Sequence, residues 1–131
     1  MKRKISIAIS GIGNRALPKN KKKAFWSGWL TQIKKSNKYN LVAVHDISNK
    51  QLKRVIKSKL LNSHQVYNNF DKLLKKEKLD AILICNPAKF HYEYIRKSLK
   101  NNLQVLVEKP LVSSFKEAMV LSKNKKKKNI S

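Results

Sequence analysis

Five short apolar runs, each followed by a stretch with helical spacing, organise this 131-residue chain. The runs cover residues 5–9, 41–45, 65–67, 79–85 and 103–107. Their continuity is typical of strands in a parallel sheet that helices cover on both faces. In the intervening stretches, apolar residues recur every three or four positions, as on one face of an amphipathic helix. The alternation predicts an α/β fold with a doubly wound parallel sheet, a Rossmann fold of about five strands with flanking helices.

The first run leads directly into Gly11-Ile12-Gly13-Asn14-Arg15-Ala16, a Gly-x-Gly-x-x-Ala pattern. Gly11 permits the backbone angles of a tight turn, and Gly13 leaves room for a pyrophosphate beside the backbone. Ala16 is small enough for the following helix to pack closely on the strand, and the start of that helix presents free N–H groups to an anion. The pattern predicts a dinucleotide site, although other strand-to-helix turns also contain two glycines.

The second run ends at Asp46, whose carboxylate can bind the adenosine ribose hydroxyls of NAD and would repel the extra phosphate of NADP. Asp46 lies 30 residues after Ala16, rather than the usual roughly 20. We attribute the extra length to a Lys-rich loop before the first helix, which is expected from Ala24. Asp46 could instead be an ordinary cap or turn residue, and the nearby Lys50 and Arg54 leave NADP open.

The first predicted helix carries an apolar stripe, for which packing against the sheet is favoured over stacking on a nucleotide base. The stripe consists of Phe25, Trp26, Trp29, Leu30 and Ile33. Further helices are expected after Ser48, Asn69 and Ser114, because these residues are good N-caps and two of them have capping-box spacing.

The fourth run stops at Asn86-Pro87, because proline cannot continue a strand and restricts the residue before it. Ligands bind at this carboxyl edge in open α/β sheets. His91 follows, where it could touch a ligand or serve as a cap or surface residue. Glu108-Lys109-Pro110 directly follows the fifth run and is therefore expected at the same edge.

The charge balance is strongly basic, with 31 basic and 7 acidic residues and a net charge of +24. Such a balance is typical of nucleic-acid binders. However, the basic residues are 27 Lys and only 4 Arg, spread over every polar segment, whereas base and phosphate recognition favours Arg. Abundant Lys, Asn and Ile also fit an A/T-rich coding bias, which we favour. Nonspecific, salt-sensitive polyanion binding is still expected.

Cys85 is the only cysteine, so no internal disulfide is possible and a reducing, cytoplasmic location is expected. Within an apolar run it is expected to fill the core. No apolar run approaches the roughly 18 residues of a membrane span. The basic N-terminus is followed by a short run that Ser6 and Ser10 interrupt, which argues against a signal peptide and a membrane location.

Together, the residues resemble the Gfo/Idh/MocA oxidoreductases, relatives of glucose–fructose oxidoreductase and inositol 2-dehydrogenase. The resemblance covers roughly residues 4–122. It rests on the glycine pattern, the strand ending in Asp46, residues 80–87 with His91 after them, and above all Glu108-Lys109-Pro110. It implies an NAD(P)-binding Rossmann domain for hydride transfer to or from a sugar or polyol carbon.

The resemblance also implies roles for particular residues. Gly11, Ile12, Gly13, Asn14 and Arg15 would line the pyrophosphate, Asp46 the ribose, and Asn86, Pro87 and His91 the nicotinamide half. Glu108, Lys109 and Pro110 would complete the cofactor site, with Lys109 as the catalytic residue beside the reacting hydroxyl. A lysine ammonium there can stabilise a developing alkoxide, although a structural salt bridge or an exposed turn is the alternative. No metal site is expected.

Family members continue into a second α/β domain that supplies the substrate pocket, a catalytic His–Asp pair and the oligomer interface. We therefore interpret residues 1–122 as the NAD(P)-binding domain of a truncated chain without turnover of its own, and 123–131 as a disordered Lys-rich tail. Whether the chain is an enzyme stays open. The alternatives are a non-catalytic basic module on a Rossmann fold, which binds a polyanion, and one half of a split enzyme that needs a second domain to hold a sugar-like substrate.

Overall fold

A five-stranded parallel sheet with the strand order β3-β2-β1-β4-β5 forms the centre of the molecule. The computed structural model describes residues 2–20, 22 and 26–125, without the side chains of 124 and 125. Its strands are β1 (Ile5–Ser10), β2 (Tyr39–His45), β3 (Val66–Tyr67), β4 (Ala81–Ile84) and β5 (Gln104–Val107). Its helices are α1 (Trp29–Lys35), α2 (Asn49–Lys57), α3 (Phe70–Lys76), α4 (Ala88–Lys100) and α5 (Phe115–Lys125), with a 3-10 turn at Ser63–Gln65. The predicted doubly wound α/β fold is confirmed.

Helices cover the sheet on both faces because successive strand residues point to opposite sides. Ile7, Ile9 and Leu83 face the layer formed by α1 and α2. Ala8 and Ile82 face the layer formed by α3 and α4, to which Leu121 of α5 also contributes. The continuous apolar runs of the sequence therefore correspond to strands that are buried on both sides.

The chain reverses its winding direction between β1 and β4. From β1 it proceeds outward through β2 to β3, and it then crosses back so that β4 pairs with the other side of β1. At such a switch point the loops after the two strands diverge and leave a crevice at the carboxyl edge. The loops after Ser10 and Ile84 therefore border the predicted ligand site.

The predicted helix starts are largely found. The Ser48 hydroxyl accepts a hydrogen bond from the Gln51 N–H at the start of α2, and Asn69 caps α3 in the same way through the Lys72 N–H. At α5, the Ser114 hydroxyl accepts from the Glu117 N–H, whereas the Glu117 carboxylate accepts from Ser113.

Two boundaries differ from the sequence prediction. Helix α1 begins at Trp29 rather than Ala24, and Trp26 lies outside it, while Ala24 and Phe25 fall outside the described residues. Helix α5 continues to Lys125, into the segment interpreted as a tail. The expectation of disorder for 126–131 concerns residues outside the described part of the chain.

Helix α1 continues a helical turn that starts in the glycine loop and is interrupted by an excursion of the chain. The Leu17 N–H donates to the Gly13 carbonyl, and the next helical bonds run from the Trp29 N–H to Arg15 and from the Leu30 N–H to Ala16. These last two bonds span fourteen residues instead of the four of a continuous α-helix. Ten residues have therefore been inserted without loss of helical register, which accounts for the long spacing between Ala16 and Asp46.

In the described ranges, no helix is long and apolar enough to cross a bilayer. The same residues contain no cluster of three His, Cys, Asp or Glu side chains suited to a metal ion.

Candidate dinucleotide-binding site

A cleft of about 420 Å³ opens at the carboxyl edge, between the loops that follow β1, β2 and β4. Six of the residues predicted for the cofactor line it, together with six others. The lining residues are Gly11, Ile12, Gly13, Asp46, Ile47, Ser48, Gln51, Cys85, Asn86, Pro87, Phe90 and Tyr94. The tertiary structure thus brings the glycine loop, the acidic end of β2 and the Asn-Pro end of β4 to one place.

Gly11 allows the loop after β1 to pass directly over the end of β4. Its φ is +92°, and a Cβ at this position would lie 2.5 Å from the Asn86 nitrogen and 2.6 Å from the Cys85 carbonyl carbon. Any side chain would therefore clash with backbone that cannot move independently of the sheet. Gly11 is therefore required by the fold itself.

Gly13 differs from Gly11 because a Cβ there would meet nothing within 4 Å. The fold alone does not require a glycine at this position. The free space lies beside the helical turn from Gly13 to Leu17, where unpaired N–H groups favour an anion. Ala16, the third position of the pattern, is completely buried against the core.

Asp46 links the end of β2 to the glycine loop. Its Oδ2 accepts a hydrogen bond from the Ile12 N–H at 2.7 Å, and its Oδ1 accepts one from the Ser48 N–H at 2.8 Å. Each carboxylate oxygen has a second lone pair that can accept a hydroxyl of a ligand. Asp46 therefore acts as a turn residue and also borders the cleft, and its role toward a ribose stays a prediction.

Arg54 supports the same loop from α2. Its guanidinium donates to the Leu17 carbonyl at 2.7 Å and to the Gln51 side-chain oxygen at 2.6 Å. A weaker contact of 3.5 Å reaches the Ile12 carbonyl. The donors of Arg54 are thus directed to the protein rather than into the cleft.

Apolar and aromatic side chains that the sequence did not assign to the cleft also line it. Ile47 is 60% exposed, and Phe90 and Tyr94 lie one helical turn apart on α4 with their rings nearly parallel. Pro87 adds to the same surface. Flat apolar walls suit a nucleotide base. The available sequence signal was an aromatic pair four residues apart, directly after the end of a central strand.

Asn86 offers an acceptor without a partner in the described part of the molecule. The residue is 8% exposed, and its Oδ1 has no hydrogen bond there. A buried polar atom of this kind costs free energy unless a ligand or water satisfies it. Its place in the cleft wall fits a donor group of a bound cofactor.

His91 lies behind the cleft and does not line it. It is 1% exposed, and its Nδ1 lies 2.7 Å from the Pro110 carbonyl oxygen and 3.1 Å from that of Leu111. Its Nε2 contacts the Asn86 carbonyl oxygen. The structure thus places His91 between two backbone segments.

Glu108-Lys109-Pro110 follows β5 next to the cleft. The Glu108 side chain is half-buried and its Oε1 accepts the indole N–H of Trp29 at 2.7 Å, while Lys109 is exposed. Cys85 lies near this carboxylate. Burial, aided by the charge of Glu108, raises the pKa of the Cys85 thiol to about 12, so the thiol stays protonated and is no nucleophile.

The predicted site residues therefore form two groups. Six line the cleft, and the remaining predictions lie outside the lining: Asn14, Arg15, His91, Glu108, Lys109 and Pro110. Asn14 accepts a long hydrogen bond from the Lys19 N–H at the start of the excursion. The contributions of Trp29 and Arg54 were not predictable, because both depend on contacts between elements distant in the chain.

Comparison with known proteins agrees with this fold. Residues 5–130 match the family model of the GFO/IDH/MocA oxidoreductase family, NAD-binding Rossmann fold. Scyllo-inositol dehydrogenase from Lactobacillus casei, solved with NAD(H) and scyllo-inositol, superposes with a TM-score of 0.80 at 21% identity. Myo-inositol 2-dehydrogenase from Lactobacillus plantarum superposes with a TM-score of 0.76 at 24% identity. In both cases 98% of this chain and 36% of the other are covered.

A third similar structure is a variant of a 3-ketoreductase from Actinomadura kijaniata in complex with NADP and TDP-benzene. Its TM-score is 0.72 and its identity 20%, with coverage of 96% of this chain and 36% of the other. At such identities the superpositions establish the fold, while the family model covers nearly all residues of the chain. The chain belongs to the GFO/IDH/MocA oxidoreductase family, of which it contains the NAD-binding Rossmann domain.

Proposed function

We propose that this chain forms the cofactor-binding half of an oxidoreductase that transfers hydride to or from a sugar or polyol carbon. The loop containing Gly11 and Gly13 would hold the pyrophosphate of the cofactor, and Asp46 its adenosine ribose. Asn86 would face the nicotinamide half. The observation that carries this assignment is the bond between Asp46 and the Ile12 N–H, which joins the ribose-binding carboxylate to the phosphate-binding loop beside the open space at Gly13.

NAD(H) is favoured over NADP(H). Asp46 places a negative charge at the position where the extra phosphate of NADP would lie. Arg54, one of the two candidate counter-charges on α2, already donates to Leu17 and Gln51. A 2′-phosphate would therefore meet a carboxylate without gaining this guanidinium.

The chemistry divides between the cofactor and the protein. Bound NAD supplies the hydride acceptor, and NADH the donor. Lys109 would stabilise negative charge on the reacting oxygen by its ammonium group, as the catalytic residue of this chain. Substrate selection is proposed to involve further protein, because this chain spans only 36% of the two inositol dehydrogenases it resembles in fold. A cytoplasmic location is proposed on the basis of the single, partly buried and unpaired Cys85.

The alternative of a polyanion-binding module would gain support from a single basic face. Exposed lysines instead lie on both layers of helices: Lys34 and Lys35 on α1, Lys53 and Lys57 on α2, Lys75 and Lys76 on α3, and Lys100 on α4. Such a distribution favours diffuse, salt-sensitive attraction over a defined interface. We therefore propose polyanion binding only as a nonspecific property.

Fluorescence titration with NADH at 150 mM NaCl tests the proposal. We expect saturable binding that Asp46→Ala weakens at least about tenfold, since the variant loses a ribose acceptor and the tether of the glycine loop. Asp71→Ala is the matched control, because Asp71 is an exposed carboxylate that pairs with Lys97 of α4 and does not line the cleft. Equal affinity of both variants, or a failure of the unaltered chain to saturate, would refute the assignment.

A further inference from the structure

The turn that carries Lys109 projects from the sheet toward solvent. Its last bond to the sheet is the donation of the Glu108 N–H to the Ile84 carbonyl at 2.9 Å. Lys109 and Pro110 beyond it are exposed. The position of the Lys109 ammonium relative to a bound cofactor therefore depends on side chains that reach this turn from other elements.

Trp29 reaches the turn from α1. Its indole N–H donates to the Glu108 carboxylate at 2.7 Å, and Trp29 also lines an apolar groove to which Leu106 of β5 contributes. Its own backbone N–H bonds to Arg15, at the helical turn that follows the glycine loop. A hydrogen bond to a carboxylate is stronger than one between neutral groups. Trp29 thus connects the start of the Lys109 turn to the phosphate-binding loop.

His91 reaches the other end of the turn from α4. Its Nδ1 faces the carbonyl oxygens of Pro110 and Leu111, and its Nε2 faces that of Asn86. All three partners are acceptors, so a neutral imidazole, which carries one N–H, donates to one side and packs against the other. Because Asn86 lines the cleft and His91 is almost fully buried, the ring fills the space between the end of the turn and the cleft wall.

We propose that Trp29 and His91 are positioning residues, which hold the Lys109 turn in a fixed place relative to the cofactor cleft. The inference rests on the proposed function for its ligand. Neither residue lines the cleft, so each acts through Glu108 or through backbone carbonyls. The nicotinamide half of the cofactor, which would lie beside Lys109, therefore depends on them, whereas the ADP-ribose half depends on Gly13 and Asp46.

Binding of NADH and of ADP-ribose to the same variants distinguishes the two halves. Trp29→Phe keeps an aromatic ring in the groove and removes the pyrrole ring together with its N–H, which is the donor to Glu108. We expect its affinity for NADH to fall about fivefold, while its affinity for ADP-ribose stays within about twofold of the unaltered chain. Trp26→Phe is the matched control, because Trp26 packs edge-on against Trp29 with ring centroids 4.9 Å apart, and it should change neither affinity.

Hydrogen exchange provides a readout without any ligand. Trp29→Phe should accelerate amide exchange in residues 108–112 several-fold and leave the strands unchanged, whereas a general loss of stability would accelerate exchange throughout the chain. His91→Gln, which keeps one donor, should accelerate exchange in the same segment. If the buried His91 variant fails to fold, the Trp29 variant still decides the question.

A double-mutant cycle tests whether Trp29 acts through Glu108. In a Glu108→Ala background, Trp29→Phe should have no further effect on NADH affinity. Additive losses, an equal loss of NADH and ADP-ribose affinity, or unchanged exchange in residues 108–112 would each overturn the inference. If the unaltered chain binds neither ligand but the turn loosens in Trp29→Phe, the proposed function is wrong and only the positioning contacts are supported.

Discussion

The amide N–H of Trp29 donates to the carbonyl oxygen of Arg15 across 3.0 Å, although fourteen residues separate them. The bond has the geometry of a helix that simply continues. Gly28 closes the excursion with a φ of +88°, and a Cβ there would lie 2.5 Å from the Ala16 carbonyl oxygen. The backbone bonds on the two sides of residues 18–27 therefore keep one helical register.

Removal of residues 18–27 should restore a continuous helix, because the bonds to Arg15 and Ala16 then link residues four apart. Without the loop, the folded state avoids an entropic cost of loop closure of about 2 kcal/mol. This gain is partly offset by a destabilisation of about 1 kcal/mol, because Gly28 would lie inside a helix. We expect a free energy of unfolding about 1 kcal/mol higher in urea titration, with more helical circular dichroism.

Removal of only residues 18–25 is the control for that deletion. It leaves two extra residues, which rotate the continuing helix by more than half a turn. We expect this shorter deletion to be clearly less stable than the ten-residue one. Equal stability of the two deletions would show that the helical register across the excursion has no energetic importance.

Substitutions of the two loop glycines should have different effects, one on the stability of the fold and the other on NADH binding. Gly11→Ala forces a Cβ into the backbone of β4 and a strained φ, so we expect a loss of about 3 kcal/mol in the free energy of unfolding. Gly13→Ala meets no protein atom and should leave the melting temperature nearly unchanged. Because its methyl group enters the space assigned to the pyrophosphate, it should still weaken NADH binding about tenfold or more.

Calorimetry and NADH titration on this pair check the prediction. A Gly13→Ala protein that melts normally and binds NADH as tightly as the unaltered chain would show that the pyrophosphate lies elsewhere.

His45 should make the protein sensitive to acid. Its side chain is completely buried, with Nδ1 2.7 Å from the Ser10 hydroxyl and Nε2 without a partner among the described residues. Burial lowers the pKa of His45 to about 4, despite the opposing charge of Asp46. The unfolded chain takes up this proton near pH 6.5 and the folded chain only near pH 4. Stability is therefore fully present above pH 6.5 and falls toward pH 4, by about 3 kcal/mol.

Urea unfolding at several pH values tests this dependence. His45→Phe can keep ring contacts with Phe70 and Tyr94. In this variant the free energy of unfolding should depend less steeply on pH between pH 6.5 and pH 4. His64→Gln removes an exposed imidazole as the control. A slope that persists in His45→Phe would assign the acid sensitivity to other groups.

Salt should stabilise the fold. All seven acidic side chains already have hydrogen-bond or ion-pair partners, and in the described ranges only Arg3 and Lys97 form ion pairs. Most of the positive charge is therefore uncompensated and self-repulsive. Raising NaCl from 50 to 500 mM should raise the melting temperature by several degrees, because it screens this repulsion. Replacing the exposed Lys57 and Lys75 together by Glu should reduce the effect, and a melting temperature independent of salt would contradict it.

Features that depend on residues close together in the chain were predicted from the sequence. Ser48 and Asn69 cap their helices because an N-cap needs only a side-chain oxygen two or three residues before a free N–H. The strands follow from uninterrupted apolar runs, and Asp46 follows from the position where one of them ends. By contrast, periodicity placed the start of α1 too early, because the bonds that define it reach back to Arg15 and Ala16.

Local sequence was sufficient to predict the alternation of strands and helices, the glycine loop and the residues at the strand ends, since each depends on neighbours within a few positions. Only the packing of distant elements shows which of these residues line the cleft and which support it. Phe90 and Tyr94 line the cleft, and Arg54 donates hydrogen bonds that support its glycine loop. Trp29 and His91 contact the Lys109 turn. These roles arise where α1, α2 and α4 meet the carboxyl edge of the sheet, and such meetings leave no periodic signal in the chain.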